Sequence, residues 1–468
     1  MKLKRKKGFT IVELVIVVAV IAILAAVLIP TFSNLIKKAN LSSDQVAVRN
    51  MNNALAMDEA VNGKPVDLLD AMKRMQENGY DFDSYKPLTE GYRFFWNSEA
   101  NKVVLAQAQV NEKDETVYVI TYPADLADTE FDTALYKALY RDTVASRTAV
   151  EKLKTAITEA SGTEEKTVEV EDANELAALA AIVNGDYDDP NDLSGYTIKV
   201  GKKIELGNQI WIPIGEAENA PFRGKLIGDA EGSVINELSS EGYNASIANA
   251  SKLTSGQIGV SYGLIGFAEN ATIENITLTN VNIDLPTSAQ ETGALVGYAT
   301  GNLTVEYCTV GAAGDGSVVS GQTKMGGLIG TIKQKTGETS SAATIRNCVN
   351  YAAVTATAPS ADPNNPRAAG IVGTLQASGA TYRLENCENH GAITAVSPLV
   401  PSITPDNAPV AGGIAGQFTV GKTVTDPAGD EYTVLFKDCV NMGELTSRGA
   451  GQPGYCDPML GQINGGNY

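Results

Sequence analysis

The chain of 468 residues has room for two or three domains, and its formal net charge of -19 excludes it as a natural carrier of nucleic acid or partner of anionic lipid. A single histidine, His390, would have to serve any Ser-His-Asp or Cys-His system, and no nucleophile-elbow motif accompanies it. With 45 glycines and only 6% aromatic residues, the composition is that of a turn-rich all-β repeat protein.

The chain opens on Lys2, Lys4, Arg5, Lys6 and Lys7, a basic cluster that holds this end in the cytoplasm when a hydrophobic run comes next. The run is Leu14 to Ile29, uncharged onward to Ile36, about the ~20 residues that span a bilayer as a helix. The chain beyond Ile36 is therefore expected outside the membrane. Glu13 interrupts the apolar stretch, and an unpaired carboxylate in a membrane helix costs up to roughly 2.5 to 3.5 kcal/mol, so it calls for a partner that the segment itself lacks. A secretory signal peptide cut near Ala22, Ala25 or Ala26 and a plain signal anchor both fit the basic start and the apolar run. Neither explains Gly8 before Phe9, or an acid at the fifth position after Gly8.

Those residues, from Lys6 to about Pro30, resemble the signal of type IV prepilins and type II secretion pseudopilins. The resemblance implies that a prepilin peptidase cuts after Gly8, removes a leader of residues 1–8, and leaves Phe9 as an N-methylated N-terminus. The apolar helix, residues 9–36, then stays in the mature protein. It further implies that Glu13 pairs with the terminal amine of a neighbouring subunit during filament assembly, which compensates two desolvated charges at once. A local benefit at the helix N-terminus is the alternative reading of Glu13. Pro30 matches the position of a helix kink in such proteins.

The helical pattern continues to about Ala60, where Asn62-Gly63-Lys64-Pro65 stops it, and a second helix is expected over Val66 to Glu77. Tyr92 to Trp96, Lys102 to Gln107 and Thr116 to Tyr122 read as strands separated by polar turns. Residues 37–127 thus fit a small α+β domain of the pseudopilin kind, one long helix on an antiparallel sheet. Residues 128–166 are expected to be a helical linker, with the domain boundary at Ser161-Gly162-Thr163. Thr167 to Val170 comes next as a strand, and Asp172 caps a helix of small apolar residues, Asn174 to Val183, suited to cover the open end of a repeat array.

From 167 to 468 the expectation is an all-β, right-handed parallel β-helix. Gly263-Leu264-Ile265-Gly266, Gly293-Ala294-Leu295-Val296-Gly297, Gly327-Leu328-Ile329-Gly330, Gly370-Ile371-Val372-Gly373 and Gly413-Ile414-Ala415-Gly416 mark the unit, with a degenerate Met459-Leu460-Gly461. Each unit holds a second strand, as in Ile273-Glu274-Asn275-Ile276 or Leu384-Glu385-Asn386-Cys387, and a third, as in Ala392-Ile393-Thr394. Three strands per turn are therefore expected. The unit resembles the GLUG-type repeats of bacterial surface proteins, a likeness that speaks for fold and little for function.

Cys308, Cys348, Cys387 and Cys439 share one repeat position with Ile276, which points to a buried stack. Export permits disulfides between them, although parallel side chains on neighbouring rungs are poor geometry, and Cys456 would be left over. His390 aligns with Tyr351 and Met442, a variable outer position, which favours a structural role. Asn347, Asn386 and Asp438, and separately Asn350, Asn389 and Asn441, recur in register and read as ladders that satisfy corner backbone groups. Asp186, Asp188, Asp189 and Asp192 form an acidic loop without regular calcium-ligand spacing, and a solvated turn is the expectation there.

Together these features describe a single-pass membrane protein, N-terminus cytoplasmic and ectodomain outside, reaching the cell surface or a pilus. Its partners would be prepilin peptidase, other pilin or pseudopilin subunits, the membrane and a surface glycan or protein, with no nucleic acid and no cofactor. The expected role is a minor pilin or pseudopilin that displays a β-helix for adhesion, not an enzyme. The alternatives are a polysaccharide-degrading β-helix enzyme, for which no recurrent carboxylate pair or Arg-Lys cluster is visible, and a passive membrane-tethered stalk.

Overall fold

The computed structural model describes residues 11–65, with side chains from residue 35 on, and most of the chain thereafter. The longer stretches outside the described residues are 1–10, most of 66–86, 111–115, 127–132, 139–143, 186–188, 244–259, 335–340, 359–365, 398–407, 426–430 and 465–468. The expected second helix over Val66 to Glu77 lies largely among these. The chain divides into two compact units, Met1–Leu135 and Tyr136–Tyr468.

In the first unit one helix, α1 (Ile11–Asn62), runs for 52 residues, about 78 Å at the helical rise, and continues through Pro30 without interruption. Its face carrying Val48, Met51 and Leu55 packs on Phe94, Trp96, Val103 and Leu105 of an antiparallel sheet. The sheet is built from β1 (Tyr92–Asn97), β2 (Lys102–Val110), β3 (Thr116–Tyr122) and β4 (Thr133–Ala134) in the order β3-β2-β1-β4. Two α1 side chains fix the sheet to the helix. The β2–β3 ladder reaches only to Leu105, so the Val103 backbone has no strand on that side. Asn52 replaces it, donating to Val103 O at 2.9 Å and accepting from Val103 N at 2.7 Å. Asp44 accepts from the backbone N–H of Leu88 (2.7 Å) and Thr89 (3.0 Å) and from the Thr89 hydroxyl (2.6 Å), which ties down the segment leading into β1.

The helix expected across residues 128–160 is shorter than its composition indicates. Thr133–Ala134 and Lys137–Ala138 are strand, and the helix α2 occupies only Val144–Ser161. The division between units falls at 135/136 and not at Ser161-Gly162-Thr163, because Val150, Leu153 and Ile157 are buried and α2 packs on the next helix, α3 (Ala173–Asn184). A helix amphipathic enough to join two domains is equally suited to be the outer layer of a cap, and apolar burial decides for the cap. In α3 the carboxylate of Asp172 accepts from Glu175 N at 2.9 Å, and Leu176, Ala177, Ala178, Leu179 and Ala180 are completely buried. The helix ends on Gly185 in the left-handed region, where a Cβ would lie 2.7 Å from the Pro190 ring.

Beyond the cap the second unit is a stack of parallel sheets, a β-helix. A full coil contributes five strands where three were expected: Val260–Tyr262, Ile265–Glu269, Thr272–Glu274, Ile276–Thr279 and Asn282–Asp284. Each pairs in parallel with its equivalent in the next coil, giving sheets I to V in that order, of six, six, eight, seven and six strands among the described residues, the last strand of sheet V, Gln452–Pro453, being added antiparallel. The extra divisions come from the backbone. Asn275, Tyr307, Asn347, Asn386 and Asp438 all adopt φ between 51 and 58°, and this one left-handed residue per coil breaks what reads as a single strand into the strands of sheets III and IV. The Gly-apolar step divides sheet I from sheet II by a different means, because its glycines lie outside the left-handed region and are required for lack of room. At Gly370 an added Cβ would lie 2.3 Å from Asn389 Cγ and 2.3 Å from Gly413 O, so the corner closes only on glycine.

Candidate functional site

The β-helix interior is built from ladders of identical residues. Asn350 donates to Asn389 Oδ1 (2.8 Å) and Asn389 to Asn441 Oδ1 (2.7 Å), while each also donates to the carbonyl two residues on, Ala352 O and Gly391 O at 2.9 Å. Asn350 and Asn389 are fully buried, and these bonds satisfy polar groups for which water is excluded. The other amide column is exposed, with Asn386 donating to Asn347 Oδ1 at 3.1 Å. Cys308, Cys348, Cys387 and Cys439 form the buried stack that Ile276 foreshadows, all as free thiols. Burial pushes the Cys348 thiol well up, and hydrogen bonding to Cys348 does the same for Cys387, so these are packing groups and not nucleophiles.

His390 stacks on Tyr351 with ring centroids 4.5 Å apart, and its Nε2 lies 3.0 Å from Glu388 Oε2, a surface arrangement with no nucleophile in it. In the acidic loop, Asp192 holds Arg223 and caps Ser194 N at 2.9 Å, while Asp186 and Asp188 lie outside the described residues. Gly8 and Phe9 also lie outside them. Glu13 and Pro30 are on α1, with their side chains outside the described set.

A pocket of about 330 Å³ opens where the loop before Phe222 meets the first coils of sheet II. Its floor is Pro221, Phe267, Ala268 and Tyr298; its rim is Glu218, Arg223, Glu269, Thr300, Lys333 and Gln334. Parallel register places Phe267, Tyr298 and Thr331 one above another, and likewise Glu269, Thr300 and Lys333. The two aromatic rings sit 5.6 Å apart. Arg223 grips Glu269 with two bonds of 3.1 Å and also meets Asp192, which fixes one side of the rim. Behind the pocket the buried Glu291 meets Lys324 at 2.7 Å. Burial pushes the Glu291 carboxyl up against the pull of Lys324 and Lys333, and Glu218 adds to the rise. Burial, then Glu291 and Glu218, also push the Tyr298 phenol well up, so it keeps its proton.

Sequence reasoning missed this pocket. The only signal was the residue after each closing glycine, which is aromatic in the first two coils (Phe267, Tyr298) and polar in the next (Thr331, Thr374, Gln417).

A helix-led N-terminus and a small antiparallel sheet packed on that helix give the chain a pilin-like first unit, and the second unit is a β-solenoid. Residues 3–29 match the prokaryotic N-terminal methylation motif, and this stretch contains Gly8, Phe9 and Glu13. Over 57 residues, 12% of this chain, the sequence is 47% identical to the type IV wide pilus major component PilA4 of Thermus thermophilus, a relative of which the chain spans 41%. A solved structure from Bacteroides ovatus, provisionally described as an immunoglobulin A1 protease, overlays with a TM-score of 0.43 at 18% identity, covering 65% of this chain and 75% of that one, and at that level bears on no conclusion. Among the residues whose side chains are described, which begin at residue 35, no helix is long and apolar enough to cross a membrane.

Proposed function

We propose that the chain is a minor pilin or pseudopilin, processed after Gly8, anchored through α1 in the membrane and in a type IV pilus or type II secretion-like filament, and displaying its β-helix for adhesion without catalysis. The observation that carries this reading is the methylation motif over residues 3–29 in the same chain as a helix-on-sheet unit and a much larger β-helix unit. A second unit more than twice the length of the first is too bulky to repeat at every position of a close-packed fibre, so a rare or tip position accommodates it best.

A polysaccharide-degrading activity has one observation in its favour, the raised carboxyl of Glu291 in the electrostatic reach of Glu218. Against it, Glu291 has no exposed surface and Glu269 is tied to Arg223, so neither is free to act on a glycosidic bond. The test is the mass of the mature N-terminus together with immunogold labelling of filaments. Methylated Phe9 and sparse or terminal label support the proposal. An intact Met1, a cut near Ala26, or uniform label along the fibre would count against it.

A further inference from the structure

We propose that Tyr307, on the corner between sheets III and IV, is the platform of an exposed carbohydrate site, with the side-chain amides of Asn275 and Asn347 as its hydrogen-bonding groups. The proposal gives a ligand class to the display role above and rests on that reading.

It starts from a strained residue that the fold does not need. Asn275, Tyr307, Asn347, Asn386 and Asp438 turn the same left-handed corner on successive coils, and Tyr307 does so with φ at 54°. Asparagine and aspartate enter this region readily because their short polar side chains suit it, whereas a bulky aromatic residue there is an outlier. No burial offsets the strain: Tyr307 is 56% exposed, and its hydroxyl makes no hydrogen bond among the described residues. Exposure alone would mean little, since single aromatic residues are common on protein surfaces. Exposure combined with backbone strain is different, because strain of this kind gathers at ligand-binding and catalytic positions.

The neighbouring coils complete the site. Parallel register aligns Glu274, Glu306 and Arg346, and the next residues in the chain are Asn275, Tyr307 and Asn347, so an amide stands one rung to either side of the phenol. A rung is about 4.8 Å along the axis, within reach of the hydroxyls of one sugar ring. Asn347 Oδ1 accepts from Asn386 at 3.1 Å, which leaves its own N–H groups open among the described residues, and the Asn275 amide has no side-chain bond among them. An open aromatic ring between two amides suits a pyranose, whose C–H face is apolar and whose hydroxyls both donate and accept. Phenol and amides are all uncharged, which makes a neutral sugar the matching ligand.

Ligand-observed saturation-transfer NMR on the full chain in detergent tests this, with methyl β-galactoside, methyl β-glucoside and N-acetylglucosamine as probes. Saturable binding of at least one probe is expected, with the C–H protons of one ring face taking up most of the saturation. Tyr307→Asn installs the residue that the column uses elsewhere. Its melting temperature should equal or exceed that of the native protein while binding is lost. Tyr307→Phe, which keeps the ring, should still bind. Asn275→Gly and Asn347→Gly keep the left-handed corner and should each weaken binding about fivefold, the factor for one hydrogen bond. Absence of saturable binding across the three probes, or binding that Tyr307→Asn leaves unchanged, overturns the proposal. A melting temperature of Tyr307→Asn well below the native one also overturns it, because the ring would then be a structural group. None of these outcomes depends on N-terminal processing or filament labelling, so the display role can fail or stand separately.

Discussion

The Asn350 side chain donates to the Asn389 side chain at 2.8 Å across 39 residues of sequence, with both groups fully buried. Removing Asn389 strands an Asn350 donor and an Asn441 acceptor in the interior, so Asn389→Ala should cost about 1 to 3 kcal/mol. Asn386→Gly, which keeps the left-handed corner and loses only an exposed ladder bond, should stay within about 0.5 kcal/mol. Urea unfolding of both variants gives the comparison, and equal losses would remove the distinction between the inner and outer ladders.

Gly370→Ala places a methyl group 2.3 Å from Asn389 Cγ, a side chain held in the buried amide ladder, and 2.3 Å from the Gly413 carbonyl oxygen. A loss of at least about 1 to 3 kcal/mol is expected from overpacking. Gly162→Ala, whose nearest neighbour would be 3.7 Å away, is the control and should leave the melting temperature unchanged.

Of the five cysteines only Cys456 is exposed. Native protein treated with a maleimide should therefore take up one label per chain, and denatured protein five, with no change in unlabelled thiol count after reduction. Fewer than five thiols in the denatured, unreduced protein would mean that disulfides link the stack.

Asp315 accepts from the backbone of Asn280 (3.0 Å), Ala312 (2.8 Å) and Ser317 (2.9 Å). Burial pushes its carboxyl up, but these bonds outweigh it and hold the group below its usual value of 3.8. A lowered folded-state value means that the ionised form is stabilised by folding. This contribution is present above the unfolded value and disappears as pH falls through the folded one. Asp315→Ala should thus be clearly less stable than the native protein at pH 7, with the gap narrowing below about pH 4. A gap independent of pH would show that the carboxylate charge is not what matters.

Glu13→Ala should leave cleavage after Gly8 unaffected and abolish incorporation into filaments, if the acid pairs with a neighbouring subunit's terminal amine as the resemblance to prepilins implies. Mass of the N-terminus reads the first outcome, and sheared-fibre immunoblots read the second. A variant that assembles normally would return Glu13 to the helix-end role.

Much of this architecture was legible because repeats are one-dimensional. Stacked coils put equivalent residues in register, so aligning Cys308, Cys348, Cys387 and Cys439 with Ile276 was enough to place them inside, and the two asparagine columns emerged by the same logic. The strand count was not legible. Ile273-Glu274-Asn275-Ile276 is an unbroken β-like string, and only the φ of 58° at Asn275 divides it, a backbone choice that asparagine permits without declaring. The linker misled for a related reason. An amphipathic helix shows that it buries a face, but not against what, and α2 buries Val150 and Leu153 on the cap.

By itself the sequence determined the methylation motif around Gly8-Phe9, the apolar run behind it and the register of the coils, since each depends on residues near in the chain or repeated at fixed intervals. The tertiary structure alone decided the pocket. Glu218, Arg223, Phe267, Tyr298 and Lys333 come from a loop and three successive coils, and no period in the sequence announces them. They meet only because parallel pairing stacks one coil on the next, bringing side chains dozens of residues apart to neighbouring rungs of one sheet.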